Sequence, residues 1–455
     1  MGDPSKKDSI LLGLLAPLTG PERIQHLGKD IGFAVEAFVR DYNRAMDQAP
    51  RGDPRPLTVV ICDETADIER AIAHLLETIR VKGIVGPFDE AKLNSIAKKT
   101  KEANVVVMSP FADGPRFKDT HGGSGLVWSC APNRLGALSY LKNLLNFVVE
   151  HIREKRHPGF APVVALYTSD DVAASDMTDM AFNANLFPEP PTRINYEYFL
   201  TQPDTADYTI FANKAIEEKA NLIVDLGSGL GRFSEVVLEI ERRWKSDAGS
   251  IQPYYVSYQR SSNLAEAVVW NMHSSDGGTP TDLDIFQRTL VFDQPRPTSA
   301  ELPYAAFRNK VKGLAKYDPD EQMELAYDCT FALALGLQAA RTTQSISVES
   351  VTGEQFKAGM LRLFSANETQ FRVGDESLLD IFQTLSAGGK VDAIGASGEL
   401  AFNVENGYPE PSEGALWCFR PTLDSYWKAE YSQTGVTFSS KDGKREGEFS
   451  CPPAW

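Results

Sequence analysis

The chain has 455 residues, 42% apolar and 24% charged, the composition of a folded globular protein, and its length points to two lobes rather than one core. A net charge of −16 without any Lys/Arg tract argues against nucleic acid or an anionic membrane as partner. No apolar run approaches the about 20 residues needed to cross a bilayer.

Lys6 and Lys7 followed by Ile10–Leu15 imitate the start of a secretory leader. Asp3 and Asp8 flank the lysines and no small-residue cleavage site follows, so the run reads as the first strand. Four strand–turn units then share one grammar. The strands are Ile10–Leu15, Leu57–Cys62, Gly83–Val85 and Val105–Met108. Their turns are Pro17–Gly20, Asp63–Thr65, Gly86–Asp89 and Ser109–Asp113. Helices are expected over Gly28–Met46, Ile68–Arg80 and Glu90–Glu102, with Ile31, Val35, Phe38 and Tyr42 on one face of the first. A further strand, Leu126–Cys130, closes this series.

A second series follows: helix Leu135–Ile152, strand Val163–Thr168, helix Ser175–Ala184, strand Ile194–Tyr198, helix Tyr208–Lys219, strand Leu222–Leu226, helix Phe233–Trp244 and strand Tyr254–Tyr258. Phe292–Pro303, with three prolines, reads as a connection between lobes. Helices Met323–Arg341 and Gly353–Phe364 come next, then short strands Glu399–Asn403, Ala415–Arg420 and Tyr426–Tyr431, and a polar tail. Strands alternating with helices predict an α/β fold with parallel sheets, whose ligands bind at the carboxyl ends of the strands.

Val224-Asp225-Leu226-Gly227-Ser228-Gly229-Leu230-Gly231 resembles the glycine motif of S-adenosylmethionine-dependent methyltransferases. The next strand, ending in Tyr258-Gln259, lacks the acid that would hold a ribose, and a glycine turn lining a cleft is the plainer reading. No hydrolase elbow or zinc-ligand spacing is present, and His26 reads as a loop residue in the opening turn. Asp170-Asp171 reads as a cation ligand or a helix cap. Asp89 is a ligand contact or the cap of the helix at Glu90, and Asp113 a ligand contact or a turn residue. Phe88 and Phe111 beside them form an apolar wall or pack in the core. Of five cysteines, Cys62, Cys130 and Cys329 lie in apolar runs and read as buried thiols. A Cys418–Cys451 bridge would pin the tail and require an oxidising compartment.

At its opening turns the chain resembles the type I periplasmic binding proteins, specifically the branched-chain-amino-acid-binding and receptor ligand-binding group. The matching residues are Ala16-Pro17-Leu18-Thr19-Gly20-Pro21 with Gly28, Ile61-Cys62-Asp63, Ile84-Val85-Gly86-Pro87 and Ser109-Pro110-Phe111-Ala112. Later landmarks are Ala326-Tyr327-Asp328 and Gly395–Asn403 followed by Gly407.

The resemblance implies two Rossmann-like parallel-sheet lobes joined by three crossover strands. Lobe one is expected over 9–133 plus 293–397, lobe two over 134–292 plus 398–431, and the tail over 432–455. It implies a non-enzymatic extracytoplasmic solute-binding protein, periplasmic or extracellular and in some members lipid-anchored. Such a protein closes by a hinge on a small polar ligand, an amino acid or related compound, and serves an ABC importer permease without a cofactor. A ligand-sensing receptor domain of the same fold is the alternative, and the methyltransferase a remote one. Ligand contacts are expected from Thr19, Phe88, Asp89, Phe111, Ala112 and Asp113 on lobe one, and from Asp171, Ser228, Tyr258 and Gln259 on lobe two. Asp89, Glu90 and Asp113 depart from the small hydroxyl residues with which such amino-acid binders grip a carboxylate, and Gln259 stands about where they place an acid for the ligand ammonium. Either the two sides have exchanged polarity or the ligand is neutral or cationic.

Overall fold

A computed structural model describes residues 1–2, 9–49, 55–168, 172–188, 192–195, 208–227, 233–244, 251–258, 260, 264–265, 284–293, 301–344, 346–366, 368–409, 413–423 and 427–451. The chain divides into two compact units, residues 1–133 with 296–410 and residues 134–295 with 411–455, so it passes from one unit to the other three times.

In the first unit five parallel strands, β1 (Ile10–Ala16), β2 (Leu57–Asp63), β3 (Gly83–Val85), β4 (Val106–Ser109) and β5 (Val127–Ser129), lie in the order β2-β1-β3-β4-β5. Leu12, Leu14, Ile84, Val106 and Val107 are buried, as expected where helices cover both faces of a parallel sheet. The helix Glu22–Asp47 buries Ile31, Val35, Phe38 and Tyr42. It starts earlier than the apolar spacing suggests, so His26 lies on a helix and not in the turn. A Cβ on Gly28 would sit 2.0 Å from the Pro17 carbonyl oxygen, so this position needs glycine for the opening turn to pack on the helix.

The returning segment of this unit contributes the buried helix Glu324–Gln344. Asp328 on it accepts hydrogen bonds from the Ala396 amide (2.9 Å), the Ser397 amide (2.8 Å) and the Ser397 hydroxyl (2.6 Å). A Cβ on Gly395 would stand 2.4 Å from that carboxylate, so the two landmarks distant in sequence are one interlock. Tyr327 meanwhile donates to Asp41, which Lys310 also pairs at 2.7 Å. Cys130 and Cys329 are not buried thiols but a disulfide, with Cα atoms 5.7 Å apart and 199 residues between them in sequence. The bridge ties the first segment of this unit to its second, which returns at Arg296.

The chain does pass between the units at 295/296, inside Phe292–Pro303. The edges of that range nevertheless belong to regular elements: Phe292 and Asp293 end a buried strand, β10 (Thr289–Asp293), and Glu301 opens the helix Glu301–Ala315. Pro303 does not prevent it, because in the first turn the missing N–H has no intrahelical acceptor. Residues 398–410 belong to the first unit: β13 (Phe402–Asn403) pairs with β14 (Tyr408–Pro409), and Ser129 N donates to Gly407 O at 2.7 Å. Between β10 and β13 in sequence come β11 (Gln370–Arg372) and β12 (Asp392–Ile394), a parallel pair.

The second unit holds an eight-stranded sheet. Its parallel part comprises β6 (Val164–Thr168), β7 (Thr192–Asn195), β8 (Leu222–Asp225), β9 (Tyr254–Tyr258) and β10. β15 (Glu413–Leu423) adds antiparallel to β10, followed by β16 (Trp427–Ser439) and β17 (Arg445–Glu446), giving the order β17-β16-β15-β10-β9-β8-β6-β7. Residues 432–451 therefore complete a sheet rather than trail as a tail. Thr434, Val436 and Phe438 alternate into the core, and a disulfide joins Cys418 to the buried Cys451.

With both bridges formed, unreduced denatured protein should titrate with one thiol per chain, Cys62. The Cys130→Ala/Cys329→Ala variant should lose roughly 2–5 kcal/mol in urea unfolding followed by tryptophan fluorescence, because a long loop in the unfolded chain is released.

Candidate ligand-binding site

In each unit the carboxyl ends of the parallel strands share one edge, and the polar side chains gather there. In the first unit the turn after β1 is tied to the turn after β2. Asp63 accepts from the Thr19 hydroxyl (2.6 Å), the Thr65 hydroxyl (2.6 Å) and the Leu18 amide (3.0 Å). Burial works to raise the Asp63 pKa, and the hydrogen bonds from Thr19 and Thr65 overcome it, holding the carboxyl at about 2. The exposed Thr19 hydroxyl, expected to meet a ligand, is thus already engaged in joining two turns.

Glu64 follows immediately and is fully buried. It accepts from the Phe88 amide at 2.9 Å and from Lys92 Nζ at 3.0 Å. Burial raises its pKa to about 7, against the pull of Lys92 and with a further push from Asp89. Asp89 caps the helix Glu90–Glu102, accepting from Lys92 N at 2.8 Å, and its other oxygen lies 3.2 Å from Lys92 Nζ. Lys92 therefore pairs with two acids at once. Its single charge offsets one of them, so the negative charge at the Asp89 turn is compensated in part.

Phe88 is buried and its ring lies 5.0 Å from that of the half-buried Phe111. Ser109 at the end of β4 donates to Pro87 O at 2.7 Å and accepts from Ala112 N at 3.1 Å, fixing both turns to each other. Ala112, Asp113 and Glu90 are buried. The structure thus brings Phe88, Asp89, Phe111, Ala112 and Asp113 into the paired turns after β3 and β4.

In the second unit β8, β9 and β10 end in Asp225, Tyr258 and Asp293. Asp225 accepts from Gly227 N at 2.7 Å and Ser257 Oγ at 3.0 Å, and burial raises its pKa to about 7. Tyr258 packs on Phe292, with ring centroids 5.2 Å apart, and the Arg134 guanidinium stands 5.2 Å from its ring. Arg134, the first residue of the helix Arg134–Lys155, is buried and donates to Leu226 O at 3.1 Å. Next to this group Arg260 pairs with Asp293 at 3.0 Å and lies 4.4 Å from the Trp417 ring centroid. Asp171, Ser228 and Gln259, expected from the sequence, lie outside the described residues, as do Gly229–Gly231 of the methyltransferase-like motif. The Asp225 of that motif is buried and hydrogen-bonded within its own turn.

Sequence reasoning missed Glu64, Lys92 and Arg134. The available signals were a second acid after β2, a lysine one turn into an acid-capped helix, and an arginine opening an apolar helix face.

No protein-family model matches the chain, and no curated protein sequence does. Solved structures do. A periplasmic binding protein type 1 from Bordetella pertussis is similar with a TM-score of 0.63 at 15% identity, over 93% of this chain and 100% of that one. The fold is that of the type I periplasmic binding proteins. A leucine-binding protein from Thermotoga maritima aligns with a TM-score of 0.61 at 14% identity, over 92% of this chain and 97% of that one. A solute-binding protein of an ABC transporter from Rhodopseudomonas palustris, solved with 4-hydroxybenzoate, aligns with a TM-score of 0.62 at 14% identity, over 96% of this chain and 98% of that one. Among the described residues no helix of this type I fold is long and apolar enough to cross a membrane.

Asp225 supplies a pH test. Its folded pKa of about 7 exceeds the ordinary 3.8, so the folded chain keeps a proton that the unfolded chain releases between those values. Stability from this group is full below about pH 4 and falls as pH rises to about 7. Asp225→Asn should therefore gain on the parent protein across that interval, measured by urea unfolding at several pH values.

Proposed function

We propose that the chain is a non-enzymatic extracytoplasmic solute-binding protein that captures a small polar ligand, an amino acid or related compound, between its two units. The observation that carries this reading is the type I fold matched over more than nine-tenths of this chain and of its structural neighbours. Each unit also ends its parallel strands in a group of polar and aromatic side chains, where open α/β sheets bind ligands. Phe88, Asp89, Phe111, Ala112 and Asp113 are the proposed contacts of the first unit, with Thr19 orienting the opening turn. Asp171, Ser228, Tyr258 and Gln259 are those of the second.

Contacts divided between two units exist together only in a closed state, so binding shifts the population toward closure by a hinge. This mechanism makes and breaks no covalent bond and calls for no cofactor. The ligand then passes to the permease of an ABC importer. Two disulfides suit a periplasmic or extracellular setting, where such bridges persist. Lys92 offsets part of the charge of Glu64 and Asp89, so amino acids and aromatic acids belong in the screen beside neutral and cationic compounds.

The test is a thermal-shift screen over amino acids, aromatic acids, amides, polyamines, sugars and S-adenosylmethionine, followed by calorimetric titration. A ligand at 100 times its Kd should stabilise the native state by about 2.7 kcal/mol, a shift of several degrees. Phe111→Ala should weaken the ligand found by about tenfold or more with an unchanged circular-dichroism spectrum. Absence of any shift and of any heat across the screen overturns the proposal, and a response to S-adenosylmethionine alone replaces it with the enzyme reading.

A further inference from the structure

Past the turn Ser109–Asp113, the first unit encloses a histidine that the proposed function does not use. His121 ends the short helix Phe117–His121 and is 2% exposed, the one buried histidine among the described residues. Neither ring nitrogen has a protein group within hydrogen-bond reach. The imidazole lies instead against the Phe117 ring, with centroids 5.0 Å apart, and Phe117 meets Tyr408 edge-on at 6.0 Å.

A neutral imidazole carries an N–H on one of its nitrogens, so this side chain already buries an unpaired donor. Protonation would add a second donor and a charge to the same apolar setting, which costs more still. The surrounding charges do not relieve that cost. Lys101, near the end of the helix Glu90–Glu102, opposes a positive charge at His121. Glu405, in the turn between β13 and β14, is drawn to Lys357 at 3.7 Å. Arg116, Lys118 and Asp119, on the segment of His121 itself, are exposed to water. Burial, with Lys101 adding to it, holds the imidazole below its ordinary 6.5, at about 4.

The position of His121 gives this charge state a mechanical consequence. Just beyond it, the Gly123 amide donates to Glu405 O at 2.9 Å, which docks the end of the helix on the β13–β14 turn. At the other end the Phe117 amide donates to Gly114 O at 3.0 Å, next to Asp113. A helix of five residues has little stability of its own and depends on such packing and end bonds. The segment therefore joins the ligand-edge turn to the hairpin through one titratable side chain.

We propose that His121 is an acid-sensitive latch: on taking up a proton its ring leaves the core, and the helix Phe117–His121 parts from the β13–β14 hairpin while the rest of the chain stays folded. In the open form the imidazole titrates near the ordinary value, so opening is linked to proton uptake. The closed form keeps its full advantage above about pH 6.5 and loses it as pH falls toward 4. Between pH 8 and pH 5 this linkage multiplies the open fraction by about 30. Opening also slackens the turn that carries Phe111 and Asp113. That consequence rests on the solute-binding reading, whereas the latch itself does not.

The experiment is hydrogen–deuterium exchange of the full-length protein without ligand at pH 8 and pH 5, corrected for the intrinsic rate and read by mass spectrometry. Peptides covering 115–125 and 402–409 should lose protection by about tenfold or more at pH 5, while those covering β8 and β9 keep theirs. His121→Phe and His121→Gln, neither of which titrates, should each remove this pH dependence. In the unsubstituted protein the His121 imidazole, assigned by nuclear magnetic resonance, should remain neutral at pH 5. A His121 imidazole half-protonated near pH 6.5, unchanged protection over 115–125, the same acid loss in both variants, or an equal loss in the β8 and β9 peptides would each overturn the proposal.

Discussion

Burying charge at the ends of parallel strands is the constraint on which much of this structure rests. Parallel pairing brings the carboxyl ends of a unit's parallel strands to one edge, and the turns there carry acids that water no longer reaches. Glu64 is tolerable because Lys92 and the Phe88 amide meet it, and Asp225 because Gly227 and Ser257 do. Elsewhere in the second unit Glu241 is met by both Arg288 and the Tyr255 hydroxyl. Removing one partner from such a set leaves an uncompensated buried charge, which costs more than the pair contributes.

The first unit faces a second constraint, since its chain leaves after Asn133 and returns only at Arg296, after the long first segment of the second unit. Two devices rejoin the halves. The Cys130–Cys329 disulfide does so covalently and Asp41 by accepting from Lys310 and Tyr327, while Asp328, by gripping Ala396 and Ser397, ties the returning half to itself. None of these is a ligand contact, but they hold the strand ends that carry the proposed contacts.

In the first unit the local pattern was legible to within a residue or so at most strand ends, because fully buried parallel strands are continuous apolar runs punctuated by strong turn residues. The helix Glu90–Glu102 and its cap at Asp89 were also legible, since capping is decided within four residues. Reading failed at the edges of Phe292–Pro303, where proline punctuation hid the end of β10 and the start of the helix Glu301–Ala315, and in β16, where the polar run Ser432–Gly435 concealed a strand. The candidate site was half visible. Phe88, Asp89, Phe111, Ala112 and Asp113 follow from turn positions, whereas Lys92 acts on Glu64 across 28 residues and Arg134 on Leu226 across 92.

By itself the sequence determined the α/β class, the strand–turn grammar and which turns stand at the ligand edge, all consequences of short-range apolar periodicity and backbone-shaping residues. Only the tertiary structure decided which acids are neutralised, which cysteines pair and how the returning segment closes the first unit. Those outcomes depend on distances between residues tens to hundreds of positions apart, and periodicity along the chain carries no record of them.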